Sequence, residues 1–331
     1  MKTIGITGAG SWGTALATVL AGKGHRVRIW DIDERHLRSM EEHRENVDYL
    51  PGVPLDDNIE ITYTTEAALK DADVVLFSAP AQHFREALTS ALEYIGNAAI
   101  VINVAKGIEQ KSLKRMSEIA AEHLDLDRYV VLSGPSHAEE VGRRLPTTVA
   151  AASYDLKAAE AVQDLFMTDR FRVYTTEDVV GVELGGALKN IIALGAGISD
   201  GMGFGDNAKA ALMTRGLAEI TRLRIKLGAR PETFAGLTGT GDLIVTCTSM
   251  HSRNRRCGIM IGEGMSPEEA TKKVGMVVEG MFTTEAAYEL ARRENVEMPI
   301  TEAIYRAIKG EITAAEAVGL LMGRTRKHEQ G

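Results

Sequence analysis

The feature that most limits the fold of this chain is a short glycine-rich stretch close to its N-terminus. GAGSWG (residues 8–13) directly follows TIGIT (3–7), a run typical of a strand, and it opens WGTALATVLAGKG (12–24), which is typical of a helix. Strand, tight glycine turn and helix in this order predict the first βαβ unit of a parallel sheet. HRVRIW (25–30) then supplies the returning strand.

The same alternation of strands and helices continues through the first half of the chain. Helical patterns, among them 112–123 and a helix starting at Asp155, separate six further strand-like runs. These runs are IEITYT (59–64), VVLFSA (74–79), IVINVA (100–105), YVVLSG (129–134), TTVAAAS (147–153) and FRVYTT (171–176). We therefore predict an α/β, Rossmann-type, doubly wound and mainly parallel sheet with helices on both faces.

The pattern changes near residue 180, beyond which helical segments dominate. They cover 182–198, 207–227, 266–273, 283–294, 300–309 and 313–323. A length of 331 residues exceeds what one hydrophobic core usually spans. We predict two domains, a dinucleotide-binding domain at 1–180 and an all-α C-terminal domain at 181–331 that binds substrate. The tail RTRKHEQG (324–331) is expected to fray.

Composition and charge exclude several classes of protein. A hydrophobic content of 44% and a charged content of 25% are ordinary for a soluble globular chain. The net charge of −8 disfavours nucleic acid and anionic membranes as partners. No apolar run is expected to reach the roughly 20 residues of a membrane span. Two cysteines and eight histidines without metal-ligand spacing predict no disulfide framework and no metal site, so a cytoplasmic protein is expected.

The glycine loop predicts a dinucleotide site. Gly8 permits the tight turn, Gly10 lets the backbone approach a pyrophosphate, and Gly13 allows close packing of helix on strand. The helix N-terminus would face the phosphates with free N–H groups. The alternative is a glycine turn that binds nothing, and the order of strand, loop and helix favours the ligand site.

Asp31, at the end of RIWDID, lies where an acidic residue commonly binds the ribose hydroxyls of NAD. Its carboxylate would repel the 2′-phosphate of NADP. Arg28 and Arg35 are close in sequence, so NADP is disfavoured and remains open. Asp33 is either a second candidate for the ribose or a helix cap, and the sequence does not decide between them.

Polar residues follow several of the predicted strands. Lys106 follows IVINVA, Ser136 and His137 follow YVVLSG, and Pro80 and Gln82 follow VVLFSA. The carboxyl ends of parallel strands share one edge of the sheet, where ligands of such folds bind. A substrate pocket is expected there.

Lys189 lies in GGALKNIIALGAG (185–197), a run that is otherwise small and apolar except for Asn190. On a helix its neighbours one turn away are Gly185, Gly186 and Ala193, and we expect this lack of bulk to leave room for a ligand. Burial would lower the pKa of the lysine and suit it to proton transfer. The alternative is a lysine that snorkels from a buried helix to solvent.

A second candidate stretch is GLTGTGDLIVTCTSMHSRNRR (236–256). Its glycines, hydroxyl side chains and the arginines 253, 255 and 256 suit a loop-to-helix site for a phosphate. Asp242 would be the charge partner of Lys189. The alternative is a solvated basic turn.

Together these residues resemble the bacterial NAD(P)-dependent glycerol-3-phosphate dehydrogenases over roughly residues 3–326. The motifs that carry the resemblance are GAGSWGTALA, NVDYLPG, VAKGIE, LSGPSHAEEV, GVELGGALKNIIALGAG, GDNAKAALMTRGLAE, GLTGTGDLIVTCTS, SRNRR and VVEG. Their number and order make a chance match very improbable. The resemblance implies reversible reduction of dihydroxyacetone phosphate to sn-glycerol 3-phosphate for glycerophospholipid synthesis, by a homodimer.

The resemblance also implies a role for each matching residue. Lys189 would exchange a proton with the substrate C2 oxygen, paired with Asp242 and lined by Asn190 and Thr246. The implied substrate contacts are Lys106, Gly134, Ser136, Lys189, Asp242, Ser252, Arg253 and Asn254. The cofactor contacts comprise those already expected at the glycine loop and Asp31 and those that the resemblance adds. They are Gly8, Gly10, Ser11, Trp12, Gly13, Asp31, Lys106, Ala138, Arg253, Val277 and Glu279.

One departure bears on the cofactor. Many bacterial members of the family carry His or Arg just after the second strand, suited to NADP, whereas this chain has Asp-Ile-Asp at 31–33. NAD is therefore the preferred prediction. One rival function is a β-hydroxyacid or 6-phosphogluconate-type dehydrogenase, whose lysine typically precedes an Asn pair three residues on, whereas here Asn190 is adjacent and Ile192 and Ala193 follow. The other is a non-catalytic NAD(H)-sensing module, which has no need of Lys189, Asp242 and Arg253 together.

Overall fold

A single sheet organises the first half of the chain, in a computed structural model that describes residues 1–326 and 328. Its strands are β1 (Thr3–Thr7), β2 (Arg26–Trp30), β3 (Ile59–Ile61), β4 (Val74–Phe77), β5 (Ile100–Asn103), β6 (Tyr129–Ser133), β7 (Thr147–Ala152) and β8 (Phe171–Thr176). The strand order is β3-β2-β1-β4-β5-β6-β7-β8, and only the β6–β7 pair is antiparallel within the described residues. The predicted doubly wound, mainly parallel sheet is confirmed.

Helices cover both faces of this sheet. They are α1 (Ser11–Gly22), α2 (Glu34–His43), α3 (Thr65–Leu69), α4 (Phe84–Ala91), α5 (Met116–Ala120), α6 (Ala138–Gly142) and α7 (Leu156–Phe166). Alternate residues of β4 enter different cores: Leu76 joins the cluster that contains Leu16 of α1, and Phe77 joins the one that contains Phe84 of α4. Burial on both faces explains why the strands read as continuous apolar runs.

The second half of the chain is helical, as predicted. It contains α8 (Val179–Gly201), α9 (Asp206–Lys226), α10 (Asp242–Thr248), α11 (Arg253–Gly262), α12 (Pro267–Val274), α13 (Glu279–Arg293), α14 (Pro299–Ile308) and α15 (Ala314–Met322). Helix α8 is central, since α9, α10, α11, α13 and α14 all pack against it. The division at residue 180 remains our proposal; β8 ends just before it and α8 begins at Val179.

Glycines bring α11 into close contact with α8. A Cβ atom at Gly258 would lie 2.1 Å from the Leu194 carbonyl oxygen, and one at Gly197 would lie 2.1 Å from that of Arg255. One turn further along, Gly201 and Gly262 face each other's helices in the same way. Only hydrogen side chains permit this approach, so the two helices cross at a fixed position.

One expectation about the helices was wrong. The predicted helix at 112–123 is reduced to α5, because Leu113 adopts a left-handed conformation (φ +58°) and the helix begins only after Arg115, whose backbone N–H donates to the Glu118 carboxylate at 2.8 Å. The sequence pattern does not give the ends of helices α10 and α11, because glycines and hydroxyl residues obscure the apolar periodicity there. A single π-helical turn, Leu237–Gly241, directly precedes α10.

Helix α8 also corrects the expectation about membrane spans. Among the described residues it is long and apolar enough to cross a membrane, yet 94% of that apolar window is buried inside the protein. Its hydropathy is therefore that of a core helix. The expected fraying of the tail falls in part on residues 327 and 329–331, which lie outside the described residues.

Candidate active site

The centre of the candidate site is a buried charge cluster where the helical part of the chain meets the sheet. Lys189, in the middle of α8, donates to the carboxylate of Asp242 at the start of α10 and, at 2.7 Å, to the Thr246 hydroxyl. Lys106, from the loop after β5, donates to the other Asp242 oxygen at 3.0 Å. Lys189 is 7% exposed and Asp242 1% exposed, so the Lys189 ammonium does not snorkel to solvent.

Burial and neighbouring charge set the protonation of this cluster. Desolvation, with a smaller contribution from the Lys106 ammonium, outweighs the attraction of Asp242 and lowers the pKa of Lys189 to about 7. Burial alone would raise the pKa of Asp242, but the two lysines outweigh it and hold that pKa below its usual value. The cluster therefore combines a fixed carboxylate with an amine that exists in both forms near neutral pH.

A chain of amide groups lies beside the lysine. The Asn190 side chain donates to the Lys106 carbonyl at 3.3 Å and accepts from the Asn254 amide at 2.9 Å. Asn254 in turn accepts from the Gly280 N–H at 2.8 Å. These bonds join the loop after β5 to α8, α11 and α13, and they fix the orientation of both amides.

The loop after β6 supplies an oxygen-rich rim to the same site. The Gly134 carbonyl accepts from Lys106 Nζ and from the Ser136 hydroxyl, both at 2.9 Å. His137, the next residue, is partly buried, and its Nε2 has no hydrogen-bond partner among the described residues. Desolvation is the main cause that lowers the pKa of His137, and the positive charge of Lys189 is the second. The ring therefore lies close enough to the cluster to respond to its charge.

The structure gives two arginines of the predicted cluster, Arg253 and Arg255, different environments. Arg255 is held by two bonds to Asp200, at 2.7 and 2.9 Å, and is therefore a structural residue. Ser252 caps α11 by accepting the Arg255 N–H. Arg253 begins the helix, and within the described part of the chain its guanidinium makes no hydrogen bond or ion pair. Burial lowers its pKa, opposed by the charges of Glu279 and Glu139.

The glycine loop has the geometry of a phosphate cradle. Gly8 adopts φ +98°, and a Cβ atom at Gly13 would lie 2.0 Å from the Gly8 carbonyl oxygen. A Cβ at Gly10 would meet no atom of the described residues within 4 Å, so the surface above it is open. Asp31 accepts the Ala9 N–H at 2.7 Å. These features fit a dinucleotide, whose pyrophosphate needs close backbone approach.

Two alternatives left open by the sequence are decided here. Asp33 is a helix cap, since its carboxylate accepts the N–H groups of Arg35 and His36 at the start of α2. Arg28, a candidate for the 2′-phosphate of NADP, instead donates to the carbonyls of Ala67 and Lys70. Arg28 is therefore committed to the backbone of the α3 region, and NADP stays open through Arg35.

The other predicted cofactor residues surround the same edge of the sheet. Ser11 and Trp12 begin α1, and Ala138 begins α6, which packs against α1. Glu279 accepts the Ala81 N–H just after β4 at 3.0 Å, while its second oxygen is buried without a partner among the described residues. Burial raises the pKa of Glu279, opposed by that bond and by Arg253. Val277 lies exposed two residues earlier.

Two family models cover almost the whole chain. The description NAD-dependent glycerol-3-phosphate dehydrogenase N-terminus matches residues 3–159, and its C-terminal counterpart matches residues 178–319. The chain belongs to the NAD-dependent glycerol-3-phosphate dehydrogenase family. The similarity to that family extends over residues 3–159 and 178–319.

Individual members of the family are close in sequence and structure. The enzyme named glycerol-3-phosphate dehydrogenase, NAD(P)+, from Pelotomaculum thermopropionicum is 58% identical, with 98% of this chain and 94% of that protein covered. One of the same name from Bacillus velezensis is 55% identical, with 99% and 96% covered. The crystal structure of glycerol-3-phosphate dehydrogenase from Coxiella burnetii has a TM-score of 0.94 at 39% identity, covering 98% of this chain and 99% of that one.

One expectation about α8, the helix that carries Lys189, was wrong. Gly185 and Gly186 do not leave room for a ligand beside Lys189. A Cβ atom at Gly185 would lie 2.1 Å from the Thr238 carbonyl oxygen, and one at Gly186 would lie 2.7 Å from Ser133 Oγ. These glycines let α8 pack against the π-helical turn and β6, which brings Lys189 to Asp242.

Two polar contacts of the glycine loop were missed by the sequence analysis. His36 and Asn46 both reach the Ala9 carbonyl oxygen, at 3.0 and 2.8 Å. Asn46 opens the NVDYLPG motif, to which the sequence alone assigns no role. His36 lies in α2, a helix whose sequence is mostly polar. No local pattern distinguishes a histidine that faces inward from one that faces solvent.

Proposed function

We propose that this chain reduces dihydroxyacetone phosphate to sn-glycerol 3-phosphate, reversibly, with NAD(H) as the preferred cofactor. The observation that carries the proposal is the buried Lys189–Asp242–Thr246 cluster next to a dinucleotide-binding edge. Family membership and the named relatives support the substrate and the cofactor class. A non-catalytic NAD(H)-sensing module would have no use for a buried amine of this kind.

Lys189 is the proposed proton donor for reduction. With a pKa of about 7 its ammonium form is available near neutral pH, and its neutral form serves the reverse reaction. When bound, the nicotinamide supplies the hydride that reaches C2 of the ketone. The Lys189 proton goes to the C2 oxygen, so an alcohol forms and no charge accumulates on it. Asp242 and Thr246 hold the amine in position through the bonds described above.

The substrate is held at both ends in this proposal. Arg253 and Ser252, with Asn254, bind the phosphate at the start of α11, since an unpaired guanidinium suits a phosphate. Lys106 and Asn190 lie beside the reacting carbon and orient the carbonyl and hydroxyl oxygens. Gly134 and Ser136 complete the rim of the site.

The cofactor is held along the edge that carries the glycine loop. Gly8, Gly10, Ser11, Trp12 and Gly13 contact the pyrophosphate side, and Asp31 binds the ribose and disfavours a 2′-phosphate. Lys106, Ala138, Arg253, Val277 and Glu279 supply the remaining cofactor contacts in this proposal. The carboxylates of Asp31 and Asp33 support NAD over NADP.

The cellular setting follows from the same proposal. We expect a cytoplasmic homodimer that supplies glycerol 3-phosphate for glycerophospholipid synthesis. Net charge of −8 and two buried free cysteines are consistent with a reducing, aqueous compartment. Nucleic acid and membrane insertion have no part in this function.

A steady-state assay tests the proposal directly. Turnover with dihydroxyacetone phosphate is expected, with kcat/KM higher for NADH than for NADPH, and none with 6-phosphogluconate and NAD. The Lys189→Ala variant should bind NADH normally while kcat falls by roughly 10²- to 10⁴-fold, because proton transfer is lost. The exposed Lys70→Ala variant is the control. Unchanged turnover in Lys189→Ala would remove the lysine from the mechanism, and preferred use of NADPH would overturn the role of Asp31.

A further inference from the structure

A buried arginine, Arg224 on α9, lies between the start of α8 and the turns that precede Asp242. It is fully buried, and its Nη2 donates to the Gly181 carbonyl in the first turn of α8. Its guanidinium carbon lies 4.4 Å from the centre of the Phe234 ring, in a cation–π contact. One side chain therefore contacts both α8 and the Pro231–Phe234 turn.

Phe234 in turn packs against the π-helical turn that leads into α10. Its carbonyl oxygen accepts the Thr240 hydroxyl at 2.9 Å. A Cβ atom at Gly239 would lie 2.1 Å from the same oxygen, so the two backbones are in contact. Asp242 begins α10 directly after this turn. The position of Phe234 therefore helps to set the position of the Asp242 carboxylate.

A buried carboxylate reinforces the same junction. Asp178, which is 4% exposed, accepts the Gly181 N–H at 2.9 Å and the Arg230 N–H at 3.0 Å. The Thr233 hydroxyl also donates to Asp178. Two buried side chains of opposite charge, those of Asp178 and Arg224, therefore hold the residues before the π-helical turn against α8.

The remaining hydrogen-bonding groups of Arg224 have no protein partner. Its Nε and Nη1 are buried without a hydrogen bond among the described residues. Burying such groups costs free energy, which contact with an aromatic face offsets only in part. Desolvation accordingly lowers the pKa of Arg224 to about 10, and the charge of Asp178 opposes this shift. An apolar side chain would fill the space at lower cost, so stability alone does not explain a cation here.

We propose that Arg224 is a positioning residue for the reaction: it holds the turns before α10 against α8, so that Asp242 stays in contact with Lys189. A Cβ atom at Gly185, one helical turn before Lys189, would lie 2.1 Å from the Thr238 carbonyl oxygen and 3.2 Å from Arg224 Nη2. The guanidinium thus borders the place where α8 meets the π-helical turn. This inference rests on the proposed function, because it concerns the carboxylate that pairs with the proton donor.

The charge of Asp242 gives the proposal a measurable sign. Its carboxylate raises the pKa of Lys189, whereas burial and the Lys106 ammonium lower it. If Asp242 moves away, the pKa of Lys189 falls further. Reduction of the ketone needs the ammonium form, so its kcat/KM should then decline at a lower pH than in the wild type.

Few other titratable groups face Lys189. Cys247 lies on α10 with Asp242, Lys106 follows β5, and His137 follows β6. The charged side chains on the other helices packed against α8 have contacts of their own or are exposed. They include Glu219 on α9 with the N–H groups of Ile300 and Thr301, Arg255 on α11 with Asp200, Glu279 on α13 with the Ala81 N–H, and on α14 Arg306 with Glu311 and the exposed Glu302.

The pH profile of kcat/KM for dihydroxyacetone phosphate, measured at saturating NADH, tests the proposal. Arg224→Met keeps a long apolar stem and removes the cation. Its midpoint should move down by roughly 0.5–1 in pH, part of the effect of a neighbouring opposite charge. Near pH 7 its kcat/KM should be roughly two- to fivefold lower than in the wild type, because less of the ammonium form remains. Arg222→Met is the matched control, because Arg222 is exposed on the same helix.

A second pair of variants tests the contact from the side of the ring. Phe234 is only partly buried, so Phe234→Leu is a smaller change to the core, and its profile should move in the same direction. Phe234→Tyr retains the aromatic face and should match the wild type. Thermal unfolding checks that each variant is folded.

A purely structural role is distinguishable from positioning in these experiments. Loss of stability alone lowers the amount of active enzyme and leaves the midpoint of the profile where it is. An unmoved midpoint in folded Arg224→Met or in folded Phe234→Leu would overturn the proposal. Absence of turnover with dihydroxyacetone phosphate in the wild type would instead overturn the proposed function on which it rests.

Discussion

A buried ammonium such as that of Lys189 loses hydration that its neighbours must replace. Here Asp242 and the Thr246 hydroxyl replace part of it, and Lys106 shares the same carboxylate. The cluster carries two cations for one anion, so proton loss from one lysine relieves repulsion. This explains why the pKa of Lys189, the more deeply buried of the two lysines, is lowered, whereas the Asp242 carboxylate stays charged.

The lowered pKa of Lys189 predicts opposite pH profiles for the two directions of the reaction. Ketone reduction needs the ammonium form, so at saturating cofactor its kcat/KM should fall as the pH rises through about 7. Alcohol oxidation needs the neutral amine, so its kcat/KM should rise through the same pH. Initial rates in both directions across the pH range measure this. Profiles that run parallel would contradict the assignment.

Arg253 makes a separate prediction at the same scale. Replacing it by alanine should raise the KM for dihydroxyacetone phosphate roughly ten- to hundredfold, the size of a charge-assisted contact to an anion. The kcat should change less, because the residue is not the proton donor. Kinetics of Arg253→Ala beside Arg292→Ala, an exposed arginine on α13, provide the measurement. A KM equal to that of the wild type would remove Arg253 from phosphate binding.

At the scale of elements, the crossing of α8 and α11 positions the site. Lys189 lies on α8, and Ser252, Arg253 and Asn254 lie at the start of α11. The glycine pairs described above hold the two helices at backbone contact, so the amine and the proposed phosphate-binding residues keep a fixed separation. Small residues are needed at this crossing for packing, which is why the apolar run around Lys189 is rich in glycine.

This crossing predicts a stability effect at a residue that contacts no ligand. Gly258→Ala would place a methyl group 2.1 Å from the Leu194 carbonyl, so the helices must separate. Overpacking of this kind lowers the free energy of unfolding by about 1–3 kcal/mol, and activity should fall with it. Gly319→Ala in α15 is the matched control, since a Cβ there would meet no atom of the described residues within 4 Å, and alanine favours a helix. Denaturant unfolding compares them; equal stability of the two variants would contradict the packing argument.

At the scale of the whole molecule, the site exists only because the sheet and the helices meet. Lys106 from the sheet side contacts Asp242, and the Glu279 carboxylate accepts the N–H of Ala81, just after β4. Further away, Arg115 and Ser117 of the α5 region hold the buried carboxylate of Glu183 on α8. Neither part of the chain supplies both the proposed cofactor-binding edge and the proposed proton donor.

The sequence by itself determined the order of strands and helices, the glycine loop and the candidate residues. Apolar periodicity and turn residues are local signals, and so is the spacing from Gly8 to Asp31. Family motifs added the substrate, and they named Asn190 and Thr246, which no periodicity singles out. Local signals failed where a backbone conformation interrupted a helix, as at Leu113.

The tertiary structure alone decided which side chains meet. Lys189 and Asp242 are 53 residues apart, and His36 and Ala9 are 27 apart, so no local pattern encodes their contacts. The structure also assigned Asp33 to a helix cap and Arg255 to Asp200, choices that depend on how the elements pack. The pKa of Lys189 belongs to this level too, because burial and neighbouring charge exist only in the folded chain.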